Sequence, residues 1–371
     1  MRVSVKNHPV GRRPNYPANI ERAGLVALAL ALSFSAIKAA DKTTKPPVIP
    51  GSAVLWTDPT DIEKRDLYYG IGGKEHEPRG PYTFDKEDMN GTNPKFSVTA
   101  ADGTKWKVKL GQEARPETAA ARLVWAAGYY TNEDYFLADM QIANMPEHLH
   151  RGQKLIGPDG TVHNVRLKRE SKDEKKEESW SWKDSPFENT REWNGLRTMM
   201  ALINNWDLKD ENNAIYKENG KDIYMVSDLG ASFGSDGRSW PEDRAKDNLD
   251  SYTNSAFILA ARTDTVDFGT PARPRFVYLV GPKEYMARVH LEYIGKNVPR
   301  EDARWMGQIL ARLSPDQLRD AFRASGYAPN EVDGFVQVLR ERIEALTGLL
   351  VVLVGRAGGR PRTGASAYPI L

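Results

Sequence analysis

The sequence predicts an α+β chain of two lobes, the first rich in β-strands and the second mainly helical. Three observations carry that expectation. Strand-like alternation punctuated by turn residues dominates residues 81–167, one helical stripe interrupts it, and helical periodicity dominates residues 168–348. A chain of 371 residues is long enough for two lobes and a sizeable core.

Residues 1–40 read as a signal peptide. Arg2, Lys6, Arg12, Arg13 and Arg22 form a positive leading region, Leu25 to Ile37 is an apolar run, and Ala39 and Ala40 are small residues after it. The run is short for a membrane span, and no other stretch is long and apolar enough to cross a bilayer. The chain has no cysteine, which removes disulfides, thiolate metal sites and cysteine nucleophiles. An exported chain without cysteine suits a bacterial periplasm or cell envelope. Lys plus Arg is 52 against 50 for Asp plus Glu, a net +2, and that balance gives no sign of a nucleic-acid partner. His148 and His150 are the only close histidine pair, and their flanks offer no third ligand at a zinc spacing.

Residues 41–80 read as a linker and N-terminal extension, polar and proline-rich from Lys42 to Pro50. The glycine-rich run Tyr68 to Lys74 lacks a strand-to-helix setting and reads as a surface loop. From Lys95 the pattern sharpens. Phe96 and Val98 alternate with polar residues, Asp102-Gly103 makes a turn, and Trp106, Val108 and Leu110 alternate again. That is a hairpin with one apolar face, and Lys105, Lys107 and Lys109 lie on the other. Pro116 opens a helix that Gly128 stops, with Ala119 and Leu123 on its apolar stripe. Tyr135–Ile142 and Val162–Leu167 are two further strands. The charged run Lys168–Glu178 reads as an exposed insertion. Trp193, Leu196, Met200 and Ile203 mark one apolar helix face, and Trp180, Trp182 and Trp193 read as packing residues. Arg300–Leu313, Pro315–Ala324 and Asn330–Leu346 carry helical periodicity, with Ser314 as an N-cap. Residues 349–371 end as a Gly-, Arg- and Pro-rich flexible tail.

The chemistry is concentrated between residues 207 and 230. Asp207 and Asn212 stand five residues apart, and Asp228-Leu229-Gly230 follows. Between them Ala214–Tyr216 and Ile223–Val226 are rich in β formers, and Asn219-Gly220 is a short hairpin signal. Helix, polar loop, hairpin and Asp-Leu-Gly therefore follow in that order. An acid that orients an acceptor proton, with an amide and a second carboxylate for magnesium, is what phosphoryl transfer needs.

With those motifs the chain resembles protein-kinase-like folds, of the atypical branch that holds the HipA-like and phosphoinositide kinases. The local likeness is Gly91-Thr92-Asn93-Pro94-Lys95-Phe96, then Val108-Lys109, then Pro116-Glu117. The resemblance spans roughly Gly91 to Gly230, and it implies ATP or another nucleoside triphosphate with Mg²⁺. Gly91, Thr92 and Lys95 would cover the phosphates, Lys109 would bridge two of them, and Glu117 would hold Lys109. Asp207 would be the base, Lys209 would neutralise the transferred group, and Asn212 and Asp228 would hold the metal. Asn213 is an alternative to Asn212. The chain departs from the HipA-like pattern at Lys209, where that family has His. Asn205-Trp206 precede Asp207 in place of His-Arg, and no Ala-Pro-Glu follows Asp-Leu-Gly. The function expected is an exported phosphotransferase with an unidentified acceptor. The alternative is a non-catalytic kinase-fold envelope protein that binds a ligand or partner.

Because the leading segment carries charges that a β-rich lobe cannot bury, a chain lacking residues 1–40 is expected to stay soluble with an unchanged circular-dichroism spectrum. An insoluble or unfolded product would refute this.

Overall fold

A computed structural model of the chain describes residues 51–91, 93–170, 176–205, 207–234, 246–269, 286 and 291–349. The signal segment, the linker at 42–50 and residues 350–371 of the tail lie outside those residues, as do Thr92 and Trp206.

The extension begins with β1 (Ala53–Val54). The first lobe follows with β2 (Tyr82–Asp88), β3 (Lys95–Ala100), β4 (Lys105–Leu110), helix α1 (Ala114–Ala126), β5 (Tyr130–Thr131), β6 (Asp134–Met140), β7 (Ile142–Ala143) and β8 (Val162–Glu170). One sheet takes the order β6-β8-β4-β3-β2-β7. Alternation gives it two unlike faces. Phe96, Val98, Trp106, Val108, Tyr135 and Leu167 bury together on one face, and Leu149 from the 144–161 connection joins them. The opposite face carries Lys109, Arg166 and Asp134, and α1 packs on its β8 and β6 side. The apolar residues of α1 do not join the sheet's core. Ala119, Leu123 and Val124 belong to the core of the second lobe.

The charged run Lys168–Glu178 differs from its expected form as an exposed insertion. β8 runs on to Glu170, and β9 (Lys176–Glu178) pairs with the next hairpin. A strand whose one face looks into a polar cleft can carry charge without leaving the sheet, which hydrophobic patterning alone does not reveal.

The second lobe continues with α2 (Arg191–Leu202), β10 (Asn213–Glu218), β11 (Lys221–Val226), α3 (Leu249–Asn254), β12 (Ile258–Ala261), β13 (Thr265–Phe268), β14 (Val298–Pro299), α4 (Arg300–Leu310), α5 (Pro315–Arg323) and α6 (Pro329–Thr347). Thr190 caps α2 by accepting from the Trp193 amide, and Ser314 caps α5 in a capping box with Gln317. Trp180, Trp182 and Trp193 are buried ring against ring. Phe233, Tyr252, Phe322 and Phe335 close the helical core, Phe322 and Phe335 stacking 5.2 Å apart. The buried Arg342 guanidinium donates to the Leu202 and Tyr252 carbonyls at 3.1 and 2.9 Å, satisfying groups that helix ends leave open. The small sheet β12-β13-β14 was not expected, because strands of two to four residues leave little pattern to read.

The extension is no free linker. β1 pairs parallel with β11, Ala53 against Asp222. Gln317 donates to the Ile62 and Arg65 carbonyls at 2.8 and 2.9 Å, while Tyr135 of the first lobe donates to the Gly73 carbonyl at 2.8 Å. Residues 51–76 therefore tie the two lobes together, and the glycine-rich run packs behind α1, with Gly70 against Arg122. Gly326, with φ +79°, lets the α5–α6 turn approach the Phe136 ring of β6, and a Cβ would collide there.

Phe335→Ala is expected to cost about 3–5 kcal/mol of stability, since it opens a cavity under stacked rings. Urea denaturation followed by circular dichroism measures it, and a loss under about 1 kcal/mol would contradict the described core.

Candidate functional site

The site forms where β4 turns into α1. Gly111, at φ +88°, makes that turn, so Lys109 at the strand end faces Glu113 and Glu117 of the helix start. Lys109 Nζ lies 3.1 Å from Glu113 Oε2, 2.7 Å from Glu117 Oε2 and 2.6 Å from Asp228 Oδ1. Its side chain is 4% exposed, whereas Lys105 and Lys107 on the same face are exposed, which singles out Lys109 among the three. Burial works against the ammonium, but Glu117, Asp228 and Glu113 outweigh it and hold its pKa well above the ordinary lysine value.

Each of the two glutamates has a second cation. Arg166 of β8 lies 2.9 Å from Glu117 Oε1, and Lys246 reaches Glu113 Oε1. Asn93, beside the Gly91 loop, donates to Glu113 Oε2 at 2.6 Å. Burial pushes the Glu113 carboxyl up, but Lys109 and Lys246 pull it below the usual range. Behind Arg166, Asp134 is buried 3.7 Å away, and both of its oxygens lack a hydrogen bond. Burial pushes the Asp134 carboxyl up to about 6.

The second lobe delivers its share through the β10–β11 hairpin. The Asp207 amide donates to Asn205 Oδ1 at 3.1 Å, and Asn212 Nδ2 donates to the Asp207 carbonyl at 2.7 Å. Lys209 Nζ lies 3.4 Å from Asp207 Oδ1. The Ser227 amide and hydroxyl both donate to the Asn212 carbonyl, at 3.1 and 2.9 Å. That pairing sets the loop beside Asp228. Asp228 takes φ +54°, a left-handed conformation that turns its side chain back to Lys109 while Leu229 enters the core. Its side chain is 42% exposed, so its carboxylate opens to the cleft. Burial pushes that carboxyl up, but Lys109, then Arg166 and Lys95, outweigh it and lower its pKa. Asn213 is buried and donates to the Trp180 carbonyl at 3.1 Å. It serves the core, which leaves Asn212 as the amide beside Asp228.

Gly91 adopts φ +67°, and its carbonyl accepts from Arg151, which also grips the Asp88 and Asn90 carbonyls. Lys95 sits opposite Lys109 in the β3–β4 register. Lys109, Glu117 and Asp228 thus meet in direct contact with Lys95 alongside, and Asp207, Lys209 and Asn212 occupy the adjoining loop. Sequence reasoning missed Glu113, Arg166 and Lys246. Glu113 was visible in principle, four residues from both Lys109 and Glu117. Arg166 and Lys246 become neighbours only through strand register and lobe packing.

Glu113, Glu117 and Asp228 offer oxygens within 4.8 Å of one another. That pocket of charge is filled by the Lys109 ammonium and matched by Arg166 and Lys246, so it does not suit a divalent ion. Asp228, open to the cleft, and Asn212, in the loop tied to Ser227, carry the hard oxygen donors that Mg²⁺ takes.

Solved structures similar to this chain include a proinflammatory kinase of Helicobacter pylori, CtkA, at 11% identity, covering 72% of this chain and 96% of that one with TM-score 0.40. Another is HipA of the Shewanella oneidensis toxin–antitoxin system with HipB and operator DNA, at 13% identity, 72% and 64% coverage and TM-score 0.30. A MAP kinase from Leishmania major matches at 10% identity, 72% and 94% coverage and TM-score 0.19. No family model matches the chain, and no curated protein matches it. The chain has a two-lobed α+β fold that resembles protein-kinase-like folds, HipA-like kinases among them. Its own order of sheet, helix, loop and hairpin displays that fold.

Asp134 generates a prediction. Its folded pKa lies above its unfolded one, so its favourable contribution is complete below about pH 4 and is lost as pH rises through about 6. Asp134→Asn is therefore expected to be more stable than wild type by about 1–3 kcal/mol at pH 8, and the gain should vanish near pH 4. A gain independent of pH would contradict the cause given.

Proposed function

We propose that the chain is a phosphotransferase that moves a phosphoryl group from a magnesium-bound phosphate donor, nucleoside triphosphate being the reference case, to an acceptor hydroxyl. The observation that carries this reading is the meeting of Lys109, Glu117 and Asp228. They come from a strand, a helix and a hairpin end, with Lys109 and Asp228 separated by 119 positions, and the Lys109 ammonium touches both carboxylates within 2.7 Å.

In this reading Lys109 is kept charged by Glu117, which Arg166 holds in place at 2.9 Å, so it can hold two donor phosphates. Gly91 and Lys95 close over the phosphates from above. Magnesium held by Asn212 and Asp228 supplies positive charge against the phosphates. Asp207 accepts the acceptor's hydroxyl proton. The new O–P bond forms as the bridging P–O bond of the donor breaks, and the leaving phosphate keeps the electron pair. Lys209, 3.4 Å from Asp207, offsets the charge on the group in transit. Asn205, which accepts from the Asp207 amide, and Asn212, which donates to the Asp207 carbonyl, fix the backbone around Asp207, which favours positioning over chemical invention in this loop.

The competing reading is a non-catalytic envelope protein that binds a ligand in this cleft. The apolar run Leu25–Ile37 favours it, because it points to export into a compartment poor in ATP. Export to the periplasm or envelope is part of both readings.

The two readings separate by calorimetry and turnover. Asp228→Ala is expected to abolish magnesium-dependent donor binding and leave the circular-dichroism melt unchanged. Asp207→Ala is expected to keep donor affinity and lower turnover about 10²–10⁴-fold. Equal donor binding by both variants and wild type would refute the metal assignment. Wild type that binds the donor but shows no turnover would favour the non-catalytic reading.

A further inference from the structure

The cleft face of the first-lobe sheet is cationic well beyond Lys109. In register with Lys109 stand Lys95 of β3 and Arg166 of β8. The next rung, two residues along each strand, carries Lys86 of β2, Ser97 of β3, Lys107 of β4, Lys168 of β8 and Asp134 of β6. Side chains two apart on a strand share a face, so these residues continue the Lys109 side. The rungs lie about 6.6 Å apart.

A nucleoside base needs a slot lined mainly by apolar and aromatic side chains. In the kinase strand V-A-I-K the residue two before the lysine, on the lysine's own side, is a small apolar alanine. This chain has Lys107 in that place. The apolar residues of β4 and β8 beside these rungs, Trp106, Val108 and Leu167, sit on the opposite face in a closed core, and Phe136 of β6 is an aromatic side chain on the Lys109 side. On β4 and β8 charge stands on the Lys109 side instead. Lys168 is half-buried and makes no hydrogen bond or ion pair among the described residues, and the same holds for Lys95 and Lys86. Lys107 is 48% exposed and meets Glu170 at 3.2 Å. Asp88, Asp134 and Glu170 oppose these cations only in part. By contrast Lys109 and Arg166 are already matched by Glu113, Glu117 and Asp228.

We propose that the donor this cleft takes is a linear chain of phosphates whose charge runs along Lys95, Lys107 and Lys168, with a nucleoside base adding little to its hold. The proposal rests on the phosphotransferase reading and names its donor class. The step balances as before. The acceptor oxygen bonds to the terminal phosphorus, the last bridging P–O bond breaks, the shortened chain leaves with the electron pair, and the acceptor proton passes to Asp207. A free polyphosphate and the triphosphate of a nucleotide share this chemistry, and they differ in the base.

Calorimetric titration of the purified full chain with magnesium tripolyphosphate and with magnesium ATP, at matched ionic strength, tests the assignment. Wild type is expected to bind tripolyphosphate at least as tightly as ATP. Lys107→Met and Lys168→Met, which keep the long apolar stem, are each expected to weaken tripolyphosphate binding about tenfold and flatten its salt dependence. ATP binding ten times or more tighter than tripolyphosphate, or tripolyphosphate binding untouched in both variants, overturns the donor proposal and leaves the phosphotransferase reading standing. The wild-type comparison decides this even if a variant fails to fold. Binding of neither ligand to wild type, or full retention of both in Asp228→Ala, overturns the phosphotransferase reading and the donor proposal together.

Discussion

A buried ammonium must be paired, and the architecture of this chain follows from pairing one. Removing a partner from a buried ion pair costs about 3–5 kcal/mol, because the remaining charge stays out of water uncompensated. Lys109 has three partners, two from α1 and one from the second lobe. Glu117 then needs Arg166, and Glu113 needs Lys246. With its inner face committed to charge, the sheet has to place its apolar residues on the other side. That choice calls for a cover, and the connection between β7 and β8 supplies it with Leu149. The long insertion between two strands is thus a consequence of the polar cleft, not an ornament on it.

The same constraint decides where α1 belongs. Its glutamates reach the sheet, but its alanines, leucine and valine join the second lobe's core. Arg115 strengthens that allegiance. It lies 3.0 Å from Asp247 and 3.2 Å from Glu331 of α6, and its guanidinium sits 4.3 Å over the Tyr327 ring. The extension adds a second tie through Gln317 and Tyr135. A helix held in this way cannot swing from Lys109 without breaking buried charge pairs and opening an apolar core. Opening of the cleft therefore has to come from the sheet moving over α1, with the Lys109 cluster as the contact that resists.

What could be read from sequence was local. The Asp207–Asn212 loop and the β10–β11 hairpin were legible because turn chemistry and fixed spacing act within a few residues of chain. The first-lobe hairpin and α1 were legible by period, and so were the capped helices α5 and α6. What was not legible depended on register and packing. Three lysines alternate on β4, and only the distance to α1 separates Lys109 from Lys107 and Lys105. Arg166 is nothing in the sequence but one basic residue in a basic strand, until β8 lies beside β4. Residues 168–178 are charged enough to read as a loop, because patterning rules assume that a strand in a core has an apolar face turned toward it. Asn212 and Asn213 could be told apart by spacing alone, and the hydrogen bond from Asn213 to the Trp180 carbonyl gives the choice a physical reason.

Asp134 and Lys168 show what the polar cleft costs. Burial drives the Asp134 carboxyl up to about 6 and the Lys168 ammonium down to about 8, each in the direction that favours loss of charge. Neither has a hydrogen bond or a close partner of the quality that Lys109 enjoys. Groups in that condition weaken a fold, and a packing requirement alone would replace them with apolar side chains. Their positions are informative for that reason. They stand on adjacent strands, one rung beyond the Lys109 cluster, on the face that looks into the cleft. Local violations of the rules for a stable core collect where a chain does its chemistry. The stability they forgo is offset by the aromatic core of the second lobe, where Phe233, Tyr252, Phe322 and Phe335 pack ring against ring.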